Sequence, residues 1–182
     1  MIVNVPAAAL AALLLTVPAS EHLSRLVIGR SVEGRRIVAV ELGDLRSANK
    51  LLVVGCVHGN ECAGLAIVRA LERLRPQAGL DLWVIENLNP DGYAADTRQN
   101  AHGVDLKRNF PWAWRPLRRR FSALVGLPLR RLPREPGSAV GWENHRLPGT
   151  TAFVVELPAG SVSPAAAVRY ARAVLALGRT RS

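Results

Sequence analysis

The sequence is poor in three kinds of residue that mark common protein classes. Aromatic residues make up only 5% of the chain, so aliphatic side chains must form most of its core. Two cysteines, Cys56 and Cys62, are too few for the disulfide framework that holds many small secreted domains together. Acidic residues number 14 against 24 basic ones, which gives a net charge of +10. The 182 residues, 49% of them hydrophobic, are nevertheless enough for one domain with its own core.

The positive charge is not accompanied by a nucleic-acid motif. All basic residues except Lys50 and Lys107 are Arg, and they are dense only at residues 115–120 and 130–134. A basic face can bind nucleic acid, but a recognisable motif normally accompanies it. Anionic substrates or envelope polymers fit the same charge, so we do not expect a nucleic-acid partner.

An uncharged run rich in Ala and Leu occupies residues 5–19. It is shorter than the ~20 residues that span a bilayer, so we expect no transmembrane helix. Its length suits a signal peptide, but no Lys or Arg occurs before Arg25. Export and a packed N-terminal helix both fit, so an exported and a cytoplasmic location both stay open. We assign residues 1–20 to this segment and residues 21–182 to a single domain.

The strongest strand signal is followed at once by polar residues. Residues 51–57, LLVVGCV, carry no charge and predict a strand buried on both faces of a parallel sheet. Such sheets bind ligands at the carboxyl ends of their strands. His58 and Glu61 lie there, separated by Gly59 and Asn60, and this turn can bring an imidazole nitrogen and a carboxylate oxygen toward one point. The pattern therefore predicts two ligands of a zinc ion.

The surrounding pattern predicts an α/β fold. Residues 26–43 read as a hairpin with a glycine-containing turn. A helix at 63–74, ended by Pro76, and a strand at 82–85 complete a parallel strand–helix–strand crossover. The later predicted elements are a short helix at 121–125, strands at 129–132 and 152–157, and a final helix that begins after Ser163.

A long polar loop, residues 87–112, follows the crossover. Loops of this length inside a compact domain are usually functional or disordered, and the turn signals NPDG and His102-Gly103 favour an ordered one. The loop contains Arg98 and Arg108, and a guanidinium group can hold a carboxylate or polarise a carbonyl.

Four motifs in order resemble the zinc carboxypeptidase family: HGNE after a buried strand, NPDG and RNFP in one loop, and a late strand that ends in Glu156 before Pro. The segments GRSVEGR, TRQNAHGVDLKRNFPW and PGTTAFVVELPAG resemble its small bacterial branch of murein peptide amidases. The resemblance covers about residues 28–177. It implies a three-layer α/β sandwich around a mixed, largely parallel sheet.

The resemblance also implies a catalytic site. His58 and Glu61 would be ligands of one zinc ion, and Glu156 would be the general base that acts on the zinc-bound water. Arg98 would polarise the scissile carbonyl and stabilise its oxyanion. Arg108 and Lys107 would bind a substrate carboxylate.

The sequence departs from the family pattern in two places. Lys107 stands where the family usually has Asn, which changes reach and charge at the substrate carboxylate. The third zinc ligand, a His on another strand, cannot be identified, because no histidine occurs between His102 and His145. The interval near residues 114–121 reads as an internal deletion that removes a central strand and helix. His102 or His145 would have to replace the missing ligand.

Three functions follow from these observations. The first is a zinc metallocarboxypeptidase-like hydrolase that cleaves peptide amide bonds next to a free carboxylate, such as those of murein peptides. The second is a catalytically inactive family member that binds peptides or anions. The third is a desuccinylase or deacylase of N-acyl amino acids. The expected partner is a small peptide, and no pattern in the sequence indicates an oligomeric state.

Overall fold

A computed structural model describes residues 22–76, 78–108, 118–126, 153–157 and 160–178. Its strands are β1 (His22–Arg30), β2 (Arg36–Gly43), β3 (Lys50–Cys56) and β4 (Asp81–Asn87). Its helices are α1 (Gly64–Leu74), α2 (Pro90–Ala95), α3 (Arg118–Val125) and α4 (Pro164–Leu177). The predictions for residues 1–20, for a strand at 129–132 and for His145 lie outside these ranges.

The four strands form one mixed sheet in the order β1-β2-β4-β3. β1 and β2 pair antiparallel as the predicted hairpin, and β3 and β4 pair parallel across α1 as the predicted crossover. The α/β fold with a mixed sheet is confirmed. Within the described chain, however, the sheet is not largely parallel, because β2 also pairs antiparallel with β4. The hairpin thus supplies two of the three pairings that the described strands make.

Two rows of aliphatic side chains cross three strands on one face of the sheet. The rows are Leu42, Leu82 and Leu51, and Val40, Val84 and Val53. Helix α1 covers this face, with Val68 and Leu71 fully buried, and burial of each contributes about 1.5–3 kcal/mol. Helix α4 adds Tyr170 and Ala171 to the same core. This packing fixes where β3 and β4 end, and therefore where the polar residues after them lie. The second helical layer expected of a three-layer sandwich is not found in the described ranges.

The predicted strand at 152–157 is wrong for the residues that the structure describes, 153–157. Phe153, Val155 and Leu157 pack partly buried against the core, while Val154 and Glu156 are exposed, so the alternation of a strand is present. These residues nevertheless have no strand pairing. A strand requires a hydrogen-bonded neighbour, which a sequence pattern does not reveal. The central strand implied by the resemblance does not occur in the described parts of the chain.

Helix boundaries were otherwise close to expectation. Ser163 Oγ accepts a hydrogen bond from Ala166 N–H (3.3 Å) and caps α4 as predicted, with Pro164 in the first turn. The NPDG segment, predicted as a turn, begins α2, because Asn89 Oδ1 accepts from Gly92 N–H at 3.0 Å. None of the helices described is long and apolar enough to cross a membrane.

Candidate metal centre

The turn after β3 holds His58 and Glu61 close together. Glu61 N–H donates to His58 O at 3.0 Å, and Glu61 Oε2 lies 2.8 Å from His58 Nδ1. Only glycine fits at position 59, since a Cβ there would lie 1.9 Å from the backbone carbon of Gly92. The backbone of the NPDG segment therefore supports the turn directly. His58 is 4% exposed, whereas the side chain of Glu61 is 48% exposed.

Asp105 holds the other side of the histidine ring. Its Oδ1 lies 3.0 Å from His58 Nε2 and also accepts from Lys107 N–H at 3.0 Å. A carboxylate at one ring nitrogen fixes the tautomer and orientation of a histidine, and leaves the opposite nitrogen for a metal. Asp105 was not among the residues singled out from the sequence. Its position inside GVDLKRN, a segment that carries the family resemblance, was the available signal.

Arg98 connects the two carboxylates that flank His58. Its Nη1 donates to Glu61 Oε1 at 2.7 Å, and its Nε donates to Asp105 Oδ2 at 3.0 Å. The guanidinium group thus lies beside the predicted metal ligands.

These contacts favour the ionised form of both carboxyl groups. The hydrogen bond from His58 lowers the pKa of Glu61, outweighing partial desolvation, and the charges of His58, Arg98 and Lys107 lower it further. Burial raises the pKa of Asp105, but hydrogen bonds from Lys107 N–H, His58 and Arg98 outweigh it, so the pKa lies below its usual value. Ionised carboxylates are the form that a cation binds.

Glu156 joins this group through Lys107. Lys107 Nζ lies 3.1 Å from Glu156 Oε1, and the Glu156 side chain is 62% exposed. Arg108 Nε lies 3.6 Å from Asp105 Oδ2, with its side chain 53% exposed. The structure therefore brings all six predicted site residues into one cluster around Asp105. Their individual roles stay predictions.

A tight turn separates Arg98 from Asp105. Asn100 N–H donates to Val104 O at 3.0 Å, and Gly103, with φ of +74°, donates back to Asn100 O at 2.9 Å. His102 lies in this turn and is exposed, and its backbone N–H donates to Asn100 Oδ1 at 3.0 Å. The turn shapes the loop so that Arg98 and Asp105 face the same group of side chains.

A second cluster, around the carboxylate of Asp91, joins the loop to the hairpin. Asp91, at 2% exposure, accepts from Ser31 Oγ (2.6 Å), Glu33 N–H (3.1 Å) and Arg35 Nη1 (2.6 Å). Burial raises the pKa of Asp91, and these three hydrogen bonds outweigh that effect and lower it. The contact joins the GRSVEGR hairpin to the NPDG segment, so these two motifs serve as structural support for the site.

The two cysteines are joined across the ligand turn. Cys56 is 1% exposed, and its Sγ forms a disulfide with Cys62, with Cα atoms 4.7 Å apart. Both sulfurs lie 3.3 Å from His58 O. The pair is thus a local link and not a framework, and no pattern in the sequence predicts it.

The residues fit a zinc ion in part. His58 Nδ1 and the Glu61 carboxylate face each other, with Asp105 behind the ring, as in the carboxylate–histidine–metal arrangement. Catalytic zinc normally has three protein ligands. Across the described residues, no set of three or more His, Cys, Asp or Glu side chains could hold a metal ion.

A match to the family described as Zinc carboxypeptidase covers residues 13–123, more than half of the chain. The chain therefore belongs to the zinc carboxypeptidase family. The match ends close to the segment in which the sequence indicates an internal deletion.

Relatives include the human carboxypeptidase N catalytic chain, 34% identical over 114 residues, which covers 46% of this chain and 25% of the relative. Carboxypeptidase SOL1 of Arabidopsis thaliana is 32% identical over 106 residues, covering 49% of this chain and 22% of the relative. This chain thus spans about a quarter of the length of these curated relatives.

Two solved structures share the fold. The metallo-carboxypeptidase from Pseudomonas aeruginosa gives a TM-score of 0.67 at 22% identity, covering 93% of this chain and 66% of that one. The murein-tripeptide amidase MpaA from Escherichia coli O157 gives a TM-score of 0.61 at 20% identity, covering 100% of this chain and 99% of that one. At these identities the similarity supports the fold.

Proposed function

We propose that this chain is a zinc-dependent hydrolase that cleaves a peptide amide bond next to a free carboxylate, with murein peptides as its substrate class. The observation that carries the proposal is the placement of His58 between two carboxylates, Glu61 at 2.8 Å and Asp105 at 3.0 Å. Membership of the zinc carboxypeptidase family supports the same chemistry. Similarity to the fold of a murein-tripeptide amidase and the charge of +10, which suits anionic substrates, favour the murein class.

In this proposal His58 Nδ1 and Glu61 would hold the ion, and Asp105 keeps the proton on Nε2. Bound zinc would supply Lewis acidity and an easily deprotonated water. A carboxylate oxygen of Glu156 takes the proton of the attacking water and returns it to the leaving nitrogen. The exposure of Glu156 leaves room for water and substrate beside it.

The cationic side chains of the site bind two different groups of the substrate. Arg98 Nη1, now bonded to Glu61, donates to the substrate carbonyl oxygen as negative charge develops on it. Lys107 and the more exposed Arg108 bind the substrate carboxylate, two adjacent cations where the family usually has Asn and Arg.

Two observations favour a catalytically inactive family member. The described residues offer two predicted metal ligands but no group of three candidates, and Arg98 and Lys107 form ion pairs with Glu61 and Glu156. In this second candidate function Arg98 and Arg108 bind peptides or anions without turnover.

The test measures zinc content and hydrolysis of a diaminopimelate-containing tripeptide by the purified full chain. We expect stoichiometric zinc and turnover, and Glu156→Gln should lower hydrolysis by about 10²–10⁴-fold while zinc stays bound, because a base and not a ligand is removed. Glu86→Gln, which alters an exposed carboxylate paired with Arg69, is the matched control and should behave as wild type.

Each other outcome has a definite meaning. Turnover retained in Glu156→Gln would contradict the role of the base. If the wild type contained no zinc and showed no turnover, the chain would be the catalytically inactive family member. Peptide binding that survives Arg98→Ala and Arg108→Ala would exclude the contact between these arginines and the substrate carboxylate. Hydrolysis of N-acyl amino acids in place of the tripeptide would identify a deacylase.

A further inference from the structure

The disulfide spans the segment that carries both metal-ligand candidates. Cys56 is the last residue of β3, Cys62 immediately follows Glu61, and His58 lies between them. No role in hydrolysis requires either sulfur. The position of the pair, six residues apart around the ligand turn, therefore calls for a separate explanation.

Gly55 and Gly64 allow the two cysteines to lie close together. A Cβ at Gly64 would lie 2.2 Å from Gly55 O, and a Cβ at Gly55 would lie 2.8 Å from Glu86 O and 3.3 Å from Gly64 O. Only glycines allow the end of β3 and the start of α1 to meet this closely. The Cα atoms of Cys56 and Cys62 are consequently 4.7 Å apart, inside the ~4.4–6.8 Å range of disulfides.

The two sulfurs differ in access. Cys56 is 1% exposed, whereas Cys62 is partly exposed, so we expect an external thiol to approach the pair from the side of Cys62. Attack of an external thiolate occurs in line with an accessible sulfur and requires no opening of the core. In thiol–disulfide exchange, Cys62 Sγ would thus be the sulfur that is attacked and Cys56 Sγ the leaving group.

We propose that Cys56 and Cys62 form a reversible dithiol–disulfide site whose oxidised form stiffens the ligand turn and whose reduced form loosens it. Its redox partners are a low-molecular-weight dithiol in one direction and a low-molecular-weight disulfide in the other. The consequence for zinc rests on the function proposed above, because a stiffer turn holds His58 and Glu61 in the binding arrangement.

The exchange is balanced in both directions. In reduction, a thiolate of the dithiol attacks Cys62 Sγ, the bond to Cys56 Sγ breaks, and Cys56 leaves as a thiolate that takes up a proton. The second thiol of the dithiol then attacks its own sulfur in the mixed disulfide and releases Cys62. Two electrons pass to the cysteines, and the dithiol becomes a cyclic disulfide. In oxidation, a small-molecule disulfide accepts those electrons and leaves as two thiols.

Reduction changes the surroundings of His58 as well as the covalent link. Both sulfurs lie 3.3 Å from His58 O, and only the thiol form has a proton to donate to it. In the disulfide, the turn is closed by a covalent bond in addition to the hydrogen bond from Glu61 N–H to His58 O. In the dithiol, weak S–H hydrogen bonds replace the covalent bond, so the turn opens more readily.

The experiment compares the full chain oxidised by glutathione disulfide with the same chain reduced by a phosphine that is then removed without air. Mass spectrometry follows the loss of the two thiol hydrogens. Competition with a chromophoric chelator gives the Kd for Zn²⁺, and hydrogen exchange of the metal-free protein reports on amides 57–61. We expect slower exchange in the oxidised form, about tenfold weaker zinc binding in the reduced form, and no redox response in Cys56→Ala/Cys62→Ala.

Three results would overturn the proposal: no disulfide after equilibration with glutathione disulfide, equal exchange in the two forms, or tighter zinc binding when reduced. The last would mean that the thiolates act as ligands. If neither form bound zinc while their exchange still differed, the redox site would stand and the hydrolase proposal would fall. Since the wild type is compared with itself, the result does not depend on the folding of the variant.

Discussion

Asp91 and Asp105 are each at the centre of a carboxylate cluster, and the two clusters differ in what surrounds them. The side chain of Asp91 is 1% exposed and bonds to Ser31, Glu33 and Arg35 of the hairpin. Asp105 is 19% exposed and bonds to His58, Arg98 and Lys107, whose further partners Glu61 and Glu156 are largely open to solvent.

The difference shows that contacts which stabilise the fold and contacts of the candidate metal site lie in separate clusters. Every partner of Asp91 comes from the hairpin turn after β1, so these contacts join two segments and are closed to ligands. The partners of Asp105 come from the turn after β3 and from the polar loop, and they include the side chains that we propose bind a metal or a substrate. Substitutions at the two aspartates should therefore separate stability from binding.

Asp105→Asn should produce the largest change, and it should appear in metal binding. Asparagine keeps an acceptor for Lys107 N–H but loses the charge that orients His58, so zinc affinity should fall by about 10–100-fold. The Kd from chelator competition is the measurement. Unchanged affinity would show that Asp105 does not position the ligand.

Asp91→Asn should act on stability, with zinc affinity of the folded protein within about twofold of wild type. Since the folded-state pKa of Asp91 is lowered, its contribution to stability is complete above the unfolded pKa of about 3.9 and is lost as pH falls through the folded value. The thermal midpoint of the variant should therefore lie several degrees below that of wild type at pH 7, and the difference should shrink as pH falls below about 3.9. A constant difference across this range would contradict the role of the ionised carboxylate.

Gly59→Ala tests whether the clusters are coupled, because Gly59 packs on Gly92, which is next to Asp91. The added methyl would meet the backbone of Gly92, so we expect a loss of about 1–3 kcal/mol in the free energy of unfolding, with weaker zinc binding alongside it. Gly29→Ala is the matched control, since a Cβ there meets no atom within 4 Å. Equal stability of the two variants in a denaturant titration would show that the turn adjusts freely.

The local pattern predicted the crossover well. Residues 51–57, the helix that ends before Pro76, and the following strand were placed within one or two residues, because each has an unbroken apolar face and a clear terminator. The NPDG segment was interpreted as a turn because Asn and Pro are favoured both in turns and at the start of a helix.

The failures depend on contacts that a local pattern does not contain. The apolar alternation of residues 153–157 matches a strand, yet a strand forms only beside a hydrogen-bonding neighbour. Asp105 lies 47 residues from His58, and the cysteine pair depends on two glycines that allow close backbone approach. In contrast, His58, Glu61 and Arg98 were found by motif, and the structure brings them together.

The exposed turn between Arg98 and Asp105 is closed by hydrogen bonds between Asn100, Gly103 and Val104. The residues on either side of it are held by Glu61 and His58, so added chain length at its tip need not reach the cluster. The outer hydrogen bond, from Asn100 N–H to Val104 O, can still close the base of a loop lengthened between His102 and Gly103, so an epitope inserted there would lie outside the site. Protein engineering can use this position as an attachment point.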